Sequence, residues 1–186
     1  MIPIRVDAAI VEPVSLADMR RHLRLDPDNT DEDALVESLI ASARAMVELA
    51  TRRVLAPGRY RLMLTAWPAD SVVPLPLSPV VALASAGSVD ATGVVTAFDS
   101  GLVRLGPDTV EAPALVVSPA LPSLSQAAAL IEVDAGHGGA GPPVPPGLAQ
   151  AIRLLAAHGF EHRGDLPVAL PPVVEALIAP HRRIRL

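Results

Sequence analysis

The sequence predicts an α+β fold: a small four-helix core into which an antiparallel β region of about six short strands is inserted. Three observations carry that prediction. Charge is uneven, with nineteen charged side chains in residues 1–61 and only six in 62–131. The hydrophobic period changes from helical at both ends to alternating in the middle. Pro and Gly punctuate the change, most densely in GHGGAGPPVPP at 136–146. The expected organisation is therefore 1–61 as N-terminal helices, 62–135 as a β-rich insertion, 136–146 as a Gly/Pro linker, and 147–186 as C-terminal helices with a basic tail.

Taken in order, Ser15-Leu16-Ala17-Asp18 reads as a capping box that opens a helix running to about Leu25, closed by Pro27. An acidic turn, DPDNTDED, follows, and Thr30 with Asp33 repeats the capping signature before a helix from about Asp31 to Arg53. Leu35, Leu39, Ala43, Met46 and Ala50 are expected to form its apolar stripe, widened by Val36, Ile40, Val47 and Val54. Glu48 stands four residues before Arg52, the spacing of an intrahelical ion pair. RYRLMLTAW (59–67) then alternates, and β-branched runs at 80–81, 94–95, 116–117 and 130–133 alternate with turn signals. Prolines at 74, 76 and 79 push that stretch to an edge or a loop. Pro145 or Pro146 opens a third helix to about His162, with Leu148, Ile152, Leu155 and Gly159 on one face. Pro171-Pro172 start a short fourth helix, which Pro180 stops.

Composition bounds the function. Half of the chain is apolar, yet Tyr60, Trp67, Phe98 and Phe160 are its only aromatics. A core built from small aliphatics buries little area per residue, so apolar surface is expected to be left for self-assembly. The formal net charge of −5 opposes a main role in gripping nucleic acid, although all fifteen basic residues are arginine. There is no Cys, hence no thiolate metal site and no disulfide framework. MIPIRVDAAIVEPVS sets acids and a proline where a secretory signal needs an unbroken apolar stretch, and no run approaches the roughly 18 residues of a membrane span. The chain is expected to be soluble, without membrane contact and without export by a standard signal.

Catalytic motifs are weak. HGFEH (158–162) spells H-x-x-E-H, in which two histidines hold zinc and a glutamate activates water. Gly159 lies inside the motif, Gly164 follows it, and Glu175 is the one helical acid downstream, so a third ligand and rigid supports are wanting. No G-x-S-x-G elbow occurs, and Gly136-His137-Gly138-Gly139 lacks the Lys and the helix of a phosphate loop. His22, beside Arg20, Arg21 and Arg24, reads as a solvated or intersubunit face. The expectation is no enzyme and no catalytic, metal or cofactor residue. A small-molecule or nucleic-acid binding domain using the β insertion stays open as the alternative.

The order of elements carries a resemblance. EPVSLADMRRHLRLD, an acidic turn, DEDALVESLIASARAMVELATRRVL, RYRLMLTAWP, VPPGLAQAIRLLAAHGFEHRGD and VVEALIAPHRRIRL together resemble the head–tail connector (adaptor) proteins of long-tailed phages and of gene transfer agents. On that resemblance HGFEH is a helix end, with Phe160 packing, His158 at an apolar-to-polar border and Arg163 pairing or capping. Gly159 departs from the bulky aromatic of many relatives. The resemblance implies a structural adaptor, a ring (a dodecamer in the particle) that joins the portal protein to a tail-side connector or stopper and lets DNA through only as passing cargo. It implies a place at the head–tail neck of the virion after assembly in the bacterial cytoplasm. The basic tail, Arg182, Arg183 and Arg185 with Leu186, is the expected portal-binding segment.

Overall fold

The computed structural model describes residues 1–124, 127–162 and 169–182. Two compact units emerge, one of Met1–Ile10 with Pro57–Pro142, the other of Val11–Ala56 with Pro143–Leu186.

The second unit is helical. Helix α1 (Leu16–Leu23) starts at Ser15, whose hydroxyl accepts the Asp18 N–H at 3.1 Å and donates to the Asp18 carboxylate at 2.9 Å. Arg24 closes it in the left-handed conformation, φ 56°. The acidic turn that follows wraps around Arg20, which donates to the carbonyls of Asp26 (2.6 Å) and Asn29 (2.7 Å) and pairs with Asp33. Helix α2 (Asp33–Thr51) has Glu32 as its N-cap, whose side chain makes no capping hydrogen bond. The expected Thr30 cap is instead a backbone turn, the Asp33 N–H reaching the Thr30 carbonyl at 3.1 Å.

The centre of the α2 stripe is Val36, Ile40, Ala43, Val47 and Thr51, all buried, while Leu39, Met46 and Ala50 pack at its border. The stripe is wide, and its apolar pattern alone does not locate its centre; the docked face is rotated by about one residue from the expected row. Thr51 is tolerated there because its hydroxyl donates to the Val47 carbonyl at 2.7 Å.

Helix α3 (Pro146–Glu161) buries Leu148, Ala151, Ile152, Leu155, Ala156 and Gly159. Helix α4 (Pro172–Ile178) adds Val174 and Ile178 and runs into a single 3₁₀ turn, Ala179–His181. One cluster joins these side chains to Val14, Met19, Val47 and Leu55. It holds no fully buried aromatic: Phe160 packs at its border. Each buried Val, Leu, Ile or Met contributes about 1.5–3 kcal/mol of transfer free energy and each Ala less, so many small contacts replace a few large ones.

The first unit is all β. Its strands are β1 (Ile4–Arg5), β2 (Gly58–Leu64), β3 (Val72–Pro74), β4 (Val80–Asp90), β5 (Val95–Ala97), β6 (Val103–Leu105), β7 (Ala114–Val117) and β8 (Ala127–Ala135). They form a five-stranded sheet, β1-β2-β8-β4-β5, and a three-stranded sheet, β3-β7-β6. Every pairing is antiparallel.

The expected fold is thereby corrected. Among the described residues the chain is mixed α+β with four helices and eight strands in two sheets, not a four-helix core with one region of about six strands. The extra strands are two or three residues long, too short to show a period, and β1 precedes all four helices. Pro74 sits in β3, an edge of the small sheet, where a missing N–H is tolerated.

Register sorts the large sheet into two faces. Leu62 stands opposite Ile131, and both are fully buried. Arg59 and Arg61 stand opposite Asp134 and Glu132 on the outer face. Two register shifts, Val80/Ala82 and Leu83/Ser85, bend β4 along β8.

Candidate functional site

The expected partner-binding residues lie where the helical unit ends. Helix α2 stops at Arg52, left-handed at φ 57°, and the change of direction turns Arg53 inward. Arg53 is 8 % exposed, and its Nε donates to the His181 carbonyl at 2.8 Å, which ties the 3₁₀ turn to the end of α2. Sequence reasoning missed this anchor. Its only trace was a pair of adjacent arginines at a helix end, too common to single out.

Arg182 follows directly. Its N–H reaches the Ala179 carbonyl, and its guanidinium pairs with Glu175 at 3.3 Å. Both side chains are about half exposed, so this pair contributes at most about 1 kcal/mol and leaves Arg182 exchangeable toward a partner. Arg183, Arg185 and Leu186 lie outside the described residues, as does Arg163.

A second charged group braces the same unit. Arg44 Nε donates to Glu12 at 2.8 Å and Nη1 to Glu48 at 2.6 Å. Burial alone would lower the Arg44 pKa, but its hydrogen bond to Glu12 and the charge of Glu48 outweigh it and the net shift is upward. Glu48 uses its other oxygen on the Leu55 N–H at 2.7 Å, capping the chain just beyond the helix. The expected Glu48–Arg52 pair does not form, because Arg52 has already left the helical line. This group holds an exit segment in place.

The H-x-x-E-H letters sit on the last turn of α3. The His158 and His162 rings stack, with centroids 4.3 Å apart and planes at 22°. His162 Nδ1 lies 3.0 Å from the His158 carbonyl, and Glu161 is exposed. Among the described residues no group of three or more His, Asp or Glu side chains is placed to hold one cation.

In the β unit a groove of about 550 Å³ lies beside the starts of β2 and β4, lined by Val6, Asp7, Arg59, Val81, Asp134 and Gly141 among others. Its polar groups are engaged with one another. Arg59 forks onto Asp134 at 2.9 and 3.1 Å, which raises its pKa, and its N–H reaches Asp7 at 3.2 Å. Such an arrangement stiffens a strand end and shows no base–nucleophile pair.

Comparison with known proteins supplies the family. The family model for phage gp6-like head-tail connector proteins matches residues 13–85, which run from the turn before α1 into β4. A chain solved in the neck of an empty gene transfer agent particle, computed with C6 symmetry, is 34 % identical, with 100 % of this chain and 97 % of that chain covered and a TM-score of 0.84. The chain belongs to the phage head–tail connector family.

Another chain, from the virion of a native gene transfer agent particle, is likewise 34 % identical over 100 % and 97 % of the two chains, at a TM-score of 0.82. A third, from a native particle neck computed with C12 symmetry, is 33 % identical over the same shares, at 0.79. No curated protein sequence matches the chain. The role of this connector is structural, that of an adaptor between head and tail.

Proposed function

We propose that this connector forms a ring at the head–tail neck of a phage-like particle, with the portal protein on one side and a tail-side connector or stopper on the other. The observation that carries this reading is full-length likeness, at 34 % identity, to a chain of a gene transfer agent neck. The cyclic symmetry of the necks that hold these relatives supports a ring of identical copies. In this reading the copies assemble in the bacterial cytoplasm. The acidic balance of the chain, −5, suits a passage in which DNA is repelled from the wall instead of gripped.

Within that reading, Arg182, Arg183, Arg185 and Leu186 dock on acidic portal surface. Exposed arginines at a chain end supply forked donors to carboxylates. Support comes from Arg182, which the Arg53–His181 contact delivers to the surface.

Deleting the gene in a producing strain tests the adaptor. DNA-filled heads without tails are expected, with tailed particles restored by complementation. Normal tailed particles from the deletion strain would refute the reading. For the tail segment, Arg183→Glu with Arg185→Glu is expected to weaken capture by purified portal at least about tenfold, an effect that added salt on the wild type should mimic. Equal capture at all salt concentrations would remove the tail from the interface.

A further inference from the structure

The five-stranded sheet has two open edges, β1 at one side and β5 at the other. Large apolar side chains stand exposed at both. Beside β1 these are Ile2 at 82 % and Ile4 at 60 %; on the hairpin joining β4 to β5 they are Val94 at 59 % and Val95 at 54 %. Ile4 is opposite Arg61, and Val95 is opposite Val89, itself opposite Ala128. Alternation along the strands puts Ile4 and Val95 on the same outer face, the one that carries Glu132. Met63, half exposed, extends the apolar surface at the β1 side.

The two edges also differ in charge. Residues 80–100, the β4–β5 hairpin and its flank, contain Asp90 and Asp99 and no basic residue. The β1–β2 side carries Arg59 and Arg61. Each is paired to β8 yet remains about half exposed, at 48 % and 45 %. A guanidinium has five donors, so each retains N–H groups for a further carboxylate.

We infer that these edges meet between neighbouring copies of the chain: the β1–β2 edge of one copy receives the β4–β5 hairpin of the next, with Ile2 and Ile4 against Val94 and Val95 and the arginines facing Asp99, while Asp90 holds the hairpin turn through Thr92 and Val94. The inference rests on the ring reading above and names its contact. A contact between two different surfaces can continue around a ring, whereas one surface meeting itself closes at two copies. The edges lie four strand spacings apart, about 19 Å, so one copy can engage neighbours at both at once. Pro3 has no N–H to donate at the β1 edge, so side chains carry the contact and an endless strand ladder is disfavoured.

The absence of cysteine gives a clean test. Ile4→Cys and Val95→Cys are placed in one chain, which is produced in particles and treated with a short bis-maleimide. A ladder of dimers, trimers and higher species is expected, with each single-cysteine variant remaining monomeric. Ile2→Cys with Val94→Cys provides a second pair at still more exposed positions. Dimers from a single-cysteine variant would show a self-matched contact and overturn the inference. So would particles that contain both double variants at wild-type level but yield no cross-links. Absence of the wild-type chain from particles would instead remove the ring reading, and this contact with it.

Discussion

At the scale of single residues, the side chains that matter most work on backbone. Glu48 is the clearest, since one carboxylate serves Arg44 and the Leu55 N–H together. Glu48→Ala is expected to cost about 1–3 kcal/mol in urea unfolding, and Glu48→Gln clearly less, because the amide oxygen still accepts from Leu55. Gly87 is the second. A Cβ there would meet the Thr96 carbonyl oxygen at 2.6 Å, and that oxygen belongs to the paired strand and has little room to yield. Gly87→Ala should cost about 1–3 kcal/mol and release the β5 amides to faster hydrogen exchange; unchanged β5 protection would contradict it. Neither role was legible in the sequence. The spacing rule offered Arg52 to Glu48, and only the left-handed turn at Arg52, invisible to any periodicity, passes the pairing to Arg44.

Elements were legible in proportion to their length. Helix α1 announced itself through Ser15 and Asp18, and its cap forms with both hydrogen bonds. Ser15→Ala is expected to lose about 1 kcal/mol. The Asp18 pKa is lowered, first by the Ser15 hydroxyl and then by Arg21. A carboxylate whose folded pKa is depressed contributes fully above its unfolded value, about 3.9, and loses that contribution as pH falls through the folded value. Stability measured by urea from about pH 5 downward should therefore fall less steeply in Asp18→Asn than in the wild type; parallel curves would deny the linkage. Strands β1 and β3 are the converse case. Two or three residues show no alternation, and Pro74 argues against a strand unless an edge is already known. The α2 stripe falls between these cases: its residues were named, but its centre was fixed by the side chains that dock on it.

For the whole molecule, order along the chain said more than any motif. Acidic turn, long helix, alternating middle, proline-led helix and basic end gave the family, while the five letters HGFEH, a zinc-motif spelling already set aside on its glycines, form a helix end with stacked imidazoles. What order could not convey was surface: Arg53 under His181, and the exposure of Ile4 and Val95, exist only once the chain is folded. A truncation meant to probe portal docking thus belongs after Arg182, since removing His181 also removes the Arg53 acceptor.

The peptide passes between the two units at residues 10/11, 56/57 and 142/143, so neither is made of continuous chain. On a ribosome, the large sheet lacks its middle strand until β8 emerges, and Met19, Val36 and Ile40 stay wet until α3 and α4 follow. A product stopped before α3 has all eight strands but no cover for Met19, Val36 and Ile40. Such a copy is expected to be taken by proteases sooner than the full chain, which pulse-chase of a chain ending near residue 142 would measure.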